Sequence, residues 1–524
     1  MLLAYLYCAK NWVPLCQVAA RILDYDPEHP DMFPRAPHPE LADATAGDLR
    51  SRLESGELTA RRLTEMHLER IEAIDRAGPQ LRAVLELNPD ALAIADRLDQ
   101  ERRSGRPRGP LHGLPVLVKD NLDTGDRMLT TAGSLALTGA PAAADALAVE
   151  RLRDAGLVLL GKTNLSEWAN FRSTRSCSGW SARGRQTLNP HVLDRSPAGS
   201  SSGSAVAVAA GLAPLAVGTE TDGSIISPSS FCGVVGFKPA LGSVSQAGII
   251  PIAASQDTAG PQARSVADAA LLFAVLAGWE PFELDPHALR ARRVGVLREP
   301  FTGYSEHTDR VYAQALDGLR EAGAELVDPV SIETAAELRS SEVELTIMLH
   351  EFKVGLNAYL AARTGIEVRS LADVISFNLR RAAEEMPYFR QERLEKAEAT
   401  VGLEAEEYLA AVARARELAR TRGIDATLER HRLDVLVAPS GAPAPVIDRI
   451  DGDRFLGGAS QPAAVAGYPN ITVPAGFAFD ALPVGLSFFG RPEREREILA
   501  MAFAFEQVTR ARRPPGYLPT LDLP

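Results

Sequence analysis

Apolar residues recur along this chain with two periods, one helical and one extended. After Thr59, a predicted N-cap, Leu63, Met66, Ile71 and Ile74 fall on one helical face. Asn88 and Pro89 read as a cap followed by an N1 proline, opening a helix that runs through Leu98. A charged, Arg-rich loop is expected over residues 101–108, and the unbroken apolar run 114–118 predicts a buried strand. Strands and helices alternate beyond it. Residues 144–155 are predicted helical and are stopped by Gly156, residues 157–160 form a short buried strand, Ser265 caps a helix over 266–277, and 293–297 is extended. Late strands are expected at 433–438 and 484–489, closed by a helix from about residue 493. This alternation predicts an α/β layered architecture. Between about 330 and 430 the pattern is nearly all helical and more polar, which suits a helical cover over one side of the core.

Composition narrows the picture. The chain has 524 residues, of which 46% are hydrophobic and 24% charged, ordinary values for a globular protein. No apolar run approaches the roughly 20 residues needed to span a bilayer, so a soluble chain without a membrane partner is expected. A net charge of -12, with both signs interspersed, argues against nucleic acid or an anionic membrane surface as a partner. Cys8, Cys16, Cys177 and Cys232 form no CxxC pair, and the nine histidines include no HExxH, so neither a disulfide scaffold nor a metal site is expected. Residues 1–40 lack the patterning of the rest of the chain and have no convincing export signal. They are read as an extension in a cytoplasmic protein, with a single domain over 41–515 and a tail at 516–524.

The chemistry concentrates in residues 197–242, which are rich in Gly, Ser and Ala yet too apolar for a flexible linker. Residues 205–213 suit a helix packed tightly on a sheet, leaving buried Gly/Ser turns at 199–203 and 222–224. Neither turn has the lysine of a phosphate-binding GxxxxGK[ST] loop. Gly199-Ser200-Ser201-Ser202-Gly203 matches a GxSxG nucleophile elbow formally, but Asp194-Arg195-Ser196-Pro197 is a poor strand to lead into one. On spacing alone, glycines that serve only tight packing remain an open alternative.

Taken with other segments, this stretch resembles the amidase signature family of serine hydrolases over roughly residues 45–510. The resemblance rests on His112-Gly113-Leu114-Pro115-Val116-Leu117-Val118-Lys119-Asp120-Asn121, on Gly161-Lys162-Thr163-Asn164-Leu165-Ser166-Glu167-Trp168, and on Ser255-Gln256-Asp257-Thr258-Ala259-Gly260-Pro261. Ala464-Val465-Ala466-Gly467-Tyr468-Pro469 and Leu482-Pro483-Val484-Gly485-Leu486 extend it. Within the family the chain is most similar to bacterial peptide amidases, through residues 200–207, Glu220-Thr221-Asp222-Gly223-Ser224 and the helical segment around 351–360.

The resemblance implies an amidase signature fold, a large mixed β-sheet covered by helices on both faces. It also implies a triad of Ser224 as nucleophile, Ser200 as bridging serine after a cis Gly199–Ser200 peptide, and Lys119 as base. Backbone N–H groups of Thr221, Asp222, Gly223 and Ser224 would hold the oxyanion, with Asp222 either satisfying backbone groups or binding the substrate amide. The implied reaction is cofactor-free hydrolysis of a small-molecule or peptide amide, foremost C-terminal peptide or amino-acid amides, to carboxylate and ammonia through an acyl-enzyme. A broad aliphatic or aryl-amide hydrolase with esterase activity and a glutaminase-like amidotransferase subunit are the alternatives.

The chain contains only six lysines against 50 arginines. Such a bias tends to leave lysine where arginine, which cannot deprotonate, will not serve. It does not choose among Lys119, Lys162 and Lys238. His112 is the rival base, for a Ser-His-Asp triad. A Ser-x-x-Lys hydrolase is excluded, because no lysine has a serine three residues before it. Trp168 and Phe171 are candidates for lining a pocket or filling the core, and Ser201 and Ser202 for bracing the turn. Three positions depart from the family pattern: Ala198 stands for glycine, Ala240 for threonine, and Ile226 for an arginine common in relatives that include the amidotransferase subunit.

Overall fold

The computed structural model of the chain describes residues 36–522. Its strands are β1 Val84–Leu87, β2 Pro115–Lys119, β3 Val158–Thr163, β4 Trp180–Ser181, β5 Arg185–Gln186, β6 Leu215–Glu220, β7 Val235–Lys238, β8 Thr258–Ala263, β9 Arg293–Leu297, β10 Glu325–Val330, β11 Val435–Pro439, β12 Asn470–Ala478 and β13 Leu482–Phe489. Eleven of them join one sheet in the order β1-β3-β2-β6-β8-β7-β12-β13-β11-β9-β10, while β4 and β5 pair separately. β2 runs parallel to β3 and β6, and β9 runs parallel to β10 and β11. The other pairings in the large sheet are antiparallel.

Alternation along the strands assigns side chains to two cores. Val116, Val118, Leu215, Val217, Val435 and Val437 pack with the helices Ala46–Glu54, Val266–Ala277, Glu306–Glu321 and Glu495–Thr509. Between them, Leu117 and Ala216 pack with the helices Ala91–Arg103 and Ser202–Ala209, and Leu436 and Ala438 with Ala335–Ser340 and Glu406–Arg416. This two-residue period is the geometry of a strand buried on both faces. The chain thus adopts the expected α/β architecture, a large mixed sheet with helices on both faces. From 335 to 431 no strand intervenes, and the helices Val343–Ala362 and Leu371–Arg380 close over Trp168 and Phe171 in a further core. Among the described residues no helix is long and apolar enough to cross a membrane.

Several expected boundaries shift, each for a local reason. Thr59 does cap, accepting from the Arg62 N–H at 3.0 Å, but the α-helix Ala60–Arg70 passes into a wider π turn, Ile71–Ala77. Leu63 and Met66 therefore reach one core while Ile71 and Ile74 reach the other, instead of sharing a face. Asn88 is not the cap of its helix. Its side chain accepts from Asp90 N–H and donates to the Leu159 carbonyl, fastening a turn, and the helix starts at Ala91 and runs to Arg103. Arg102 and Arg103 thus lie in a last turn, where the helix dipole favours cations, and not in a loop.

The helix expected at 205–213 spans Ser202–Ala209, so the end of the expected Gly/Ser turn, Ser202 and Gly203, is helical. The extension expected at 1–40 lies outside the described residues as far as residue 35. Residues 37 and 38 accept from the buried Arg70 guanidinium through their carbonyls, at 2.8 and 3.1 Å. At the other end, Tyr517 and Leu518 donate their N–H groups to the carbonyls of Pro190 and His191.

The helix Ser202–Ala209 is buried along its whole length and lies against the strand ends. A Cβ on Gly203 would sit 2.3 Å from the Ala83 carbonyl oxygen and 2.5 Å from that of Asn164, both rigid backbone. In an ordinary helix, glycine to alanine gains about 1 kcal/mol. Here Gly203→Ala is expected to do the reverse and to lower Tm by several degrees, because overpacking against backbone costs about 1–3 kcal/mol or more. A raised Tm in thermal unfolding would show that the helix stands further from the sheet.

Candidate active site

β2 and β6 are adjacent and parallel, with Val118 opposite Val217, so their C-terminal ends deliver Lys119 and the segment Thr219 to Ser224 side by side. The C-terminal edge of parallel strands is where α/β sheets bind their ligands. The third piece is the Ser200 turn at the start of the helix Ser202–Ala209. Its N–H at Ser201 donates to the Ser224 carbonyl at 3.0 Å, and the Ser200 carbonyl accepts from Ser166 N–H at 3.1 Å. The Gly199–Ser200 peptide is cis, as the resemblance implied. A Cβ at Gly199 would lie 2.1 Å from Ser166 Oγ, which leaves no room for a side chain. Ala198, which stands for the family's glycine, has φ 55, a left-handed value that explains the glycine preference.

Lys119 and Ser200 are wholly buried. Lys119 Nζ lies 2.7 Å from Ser200 Oγ, 2.9 Å from Thr219 Oγ1, 3.1 Å from Ser201 Oγ and 3.2 Å from the Thr219 carbonyl. Proton bookkeeping distinguishes these partners. The Ser201 hydroxyl donates to the Thr219 carbonyl at 2.9 Å, so toward Lys119 it acts as an acceptor. Thr219 Oγ1 accepts a further N–H from Asn121. The hydroxyl protons of Ser200 and Thr219 have no other acceptor among the described hydrogen bonds, and Ser200 Oγ is the nearer of the two to Lys119 Nζ. A neutral amine can turn its lone pair toward Ser200, the nearer of these hydroxyls. Burial favours that neutral amine and lowers the Lys119 pKa to about 7, against the opposing charges of Asp257 and Glu220.

Ser224 is 8% exposed, the most accessible of Lys119, Ser200 and Ser224. Among the described hydrogen bonds its hydroxyl makes none to Ser200 Oγ; the two turns are joined through backbone. The N–H groups of Thr221, Asp222, Gly223 and Ser224, the expected oxyanion donors, donate to no described residue. The N–H groups just beyond, of Ile225 and Ile226, are taken by Glu220 Oε2 at 2.7 and 2.9 Å. Backbone satisfaction, one of two roles considered for Asp222, thus falls to Glu220. Asp222 Oδ1 is enclosed and unpaired among the described residues, and its carboxyl is held well above the usual range by burial and then by the charge of Glu344. Thr221 donates its hydroxyl to Asp257 at 2.5 Å, and Asp257 also accepts from Ile252 and Ala253 N–H. Burial raises the Asp257 pKa to about 6 against those bonds.

The rival bases have structural positions. His112 Nε2 lies 2.9 Å from the Leu98 carbonyl and its Nδ1 accepts from Arg108 N–H, away from either serine turn. Lys162 donates to the Leu122 carbonyl and Thr130, and Lys238 to the Pro239 carbonyl. Trp168 and Phe171 are 1% and 2% exposed, and Phe171 stacks on Phe352 at 5.0 Å. They fill core. Ser201 and Ser202 brace the turn, the latter by donating to the Ala198 carbonyl at 2.6 Å.

Sequence reading assigned no role to Thr219, Asn121, Gln256, Asp257, Glu344 or Ser460. Asn121, Gln256 and Asp257 stood inside motifs already noted. Glu344 and Ser460 come from distant helices or loops with no local pattern to mark them.

Comparison with known proteins places this geometry. A family model described as Amidase matches residues 62–499. The X-ray structure of the native peptide amidase from Stenotrophomonas maltophilia is 50% identical, with a TM-score of 0.85, over 90% of this chain and 98% of that one. A probable amidase of Arabidopsis thaliana is 39% identical over 501 residues, 91% of this chain and 92% of its own. A glutamyl-tRNA(Gln) amidotransferase subunit of Chloroflexus aggregans is 35% identical over 497 residues, 91% and 99% of the two chains.

A buried neutral lysine has a thermodynamic signature. Between about pH 7 and its unfolded value of about 10.4, the unfolded chain binds a proton at Lys119 that the folded chain does not. Stability therefore rises with pH through that window. Lys119→Met is expected to raise Tm, by an amount that is largest near pH 7 and shrinks toward pH 10. Thermal unfolding of both proteins across that range reads it. A difference that stayed constant with pH would mean Lys119 is charged when folded.

Proposed function

The chain belongs to the amidase family and is an amide-hydrolysing enzyme, and from that premise we propose that it converts R–CO–NH2 to a carboxylate and ammonia through an acyl-enzyme on Ser224. Lys119 is the base and Ser200 the relay. A free serine hydroxyl is a weak nucleophile and needs an adjacent base. In the proposed sequence Ser224 Oγ attacks the amide carbon as its proton passes to Ser200, whose own proton passes to Lys119 Nζ. The oxyanion is held by N–H groups among Thr221, Asp222, Gly223 and Ser224, each such donor being worth roughly 10²–10³ in turnover. Lys119 then returns the proton through Ser200 to the departing nitrogen, which leaves as ammonia. Water then attacks the acyl carbon, giving a proton along the same path to Lys119; the ester bond to Ser224 Oγ breaks, Ser224 takes that proton back through Ser200, and the acid leaves and ionises to the carboxylate. The observation that carries this reading is the 2.7 Å contact between a buried Lys119 Nζ and Ser200 Oγ.

C-terminal peptide or amino-acid amides are the proposed substrates, supported by the 50% identity to a peptide amidase across nearly the whole chain. A broader aliphatic or aryl-amide hydrolase with esterase activity shares the same machinery. The amidotransferase-subunit reading draws on the 35% identical relative. Against it stands Ile226, wholly buried and apolar where an arginine is common in that subunit. Ammonia release by the isolated chain from peptide amides, aryl amides and glutamine distinguishes the three.

Two measurements test the mechanism. Arginine keeps the positive charge but cannot accept a proton. Lys119→Arg should therefore lose at least roughly a thousandfold in kcat/KM, as Lys119→Ala does, with an unchanged circular dichroism spectrum. In the unmutated enzyme only the neutral amine acts, so activity should fall about tenfold per unit below pH 7 and level off above it. A fluorophosphonate adduct should map to Ser224 by mass spectrometry. Wild-type turnover by Lys119→Arg, or an adduct on another serine, would overturn the assignment.

A further inference from the structure

The polar groups beside Ser224 include two acceptors that accept nothing. Gln256, just before β8, is 2% exposed, and its Nε2 donates to the Thr221 carbonyl at 3.2 Å and to Glu344 Oε1 at 2.9 Å. Both partners are acceptors, so the nitrogen of the Gln256 amide must face them and the oxygen must face the other way. That oxygen, Oε1, is enclosed and unpartnered among the described residues. The orientation is locked from the helical cover: Glu344, on the helix Val343–Ala362, accepts from Gln256 with one oxygen and from Gln461 Nε2 with the other, at 2.8 Å.

The second orphan is Asp222 Oδ1, two residues before Ser224. It belongs to the same cluster. Glu344 is the strongest charge acting on it, and Ser460 Oγ lies 3.1 Å from where a Cβ on the neighbouring Gly223 would sit. Enclosed acceptors without protein partners take their donors from elsewhere, and beside a candidate nucleophile a substrate can supply them. Beside these acceptors, the N–H groups of Asp222 to Ser224 donate to no described residue. Unpartnered N–H donors and two unpartnered acceptors match a primary carboxamide, which has one carbonyl oxygen and two N–H groups on one nitrogen.

We infer that Gln256 is a specificity-determining residue: its Oε1 and Asp222 Oδ1 together receive the two N–H groups of the substrate's –CO–NH2. An ester brings no N–H and an N-alkyl amide only one, so each leaves at least one acceptor buried and unpaired. A site built to bond a donor discriminates strongly against analogues that lack it. Glu344 is a positioning residue, acting through the Gln256 amide. The inference rests on the reading of Ser224 as nucleophile.

The test uses three derivatives of one N-acyl dipeptide: the primary amide, the N-methylamide and the methyl ester. Gln256→Met keeps the length of the side chain and removes the acceptor. It is expected to lower the amide-to-ester ratio of kcat/KM by roughly ten- to a hundredfold. Glu344→Gln, which offers one donor group where two acceptors stood, should lower the same ratio by a smaller factor. The wild type should hydrolyse the N-methylamide at least roughly tenfold more slowly than the amide, a measurement that needs no variant to fold. An equal loss on amide and ester in Gln256→Met, an unchanged ratio, or a wild type indifferent to N-methylation would overturn the inference. A wild type that hydrolyses neither amide nor ester would instead overturn the reading of the site.

Discussion

An amine kept from water at the end of β2 is the condition on which the rest of this structure depends. Lys119 Nζ can be a base near neutral pH only if its ammonium is disfavoured, and burial is what disfavours it. The surrounding residues are small because the amine must be enclosed at short range. Gly218 on β6 has no space for a Cβ, which would come within 2.7 Å of Ser201 Oγ, and Gly203 lies against the backbone of Ala83 and Asn164. A neutral lysine costs stability, because the unfolded chain would rather hold the proton. An eleven-stranded sheet with helices on both faces supplies the packing that offsets it.

The cover helices do more than close one side of the core. Glu344 joins the helix Val343–Ala362 to Gln256 before β8 and to Gln461 on the helix Gln461–Ala466, three elements far apart in the chain. A carboxyl buried this way has a raised pKa, moderated by the two side-chain amides that donate to it. The cover thus holds the Gln256 amide in place through Glu344, while Lys119 comes from the sheet and Ser200 from the turn before the helix Ser202–Ala209. Two sets of groups with opposite needs, one dry and proton-accepting, one rich in orphaned acceptors, meet at Ser224.

The departures of sequence expectation from structure have particular causes. Asn88 is a good cap by pattern, yet its side chain finds the carbonyl of Leu159 across the sheet edge, and the helix begins three residues later at Ala91. Ser202 reads as turn because it is polar, but in the fold its hydroxyl donates to the Ala198 carbonyl, as that of Ser204 does to Val217, so both sit in a helix without loss. A 3.6-residue period puts Ile71 and Ile74 on the face of Leu63 and Met66, and a π turn widens that period.

The order and type of the elements were legible in sequence, since periodicity is local and each strand or helix carries its own apolar pattern. Lys119, Ser200 and Ser224 were singled out only because several ordered motifs resembled a family; composition left three lysines equivalent. What tertiary structure alone decided is which of those lysines meets a hydroxyl poised to give up its proton, and which polar atoms are left without partners. Lys162 and Lys238 are as buried as Lys119, and all three have lowered pKa values. The hydroxyls that Lys119 meets come from another strand and a distant turn, so nothing near it in sequence could mark it out. Gln256, Glu344 and Ser460 follow the same logic. Hydrogen bonds between residues separated by tens of positions depend on how strands and helices are brought together, and that is set by burial of the whole apolar surface, not by any one segment.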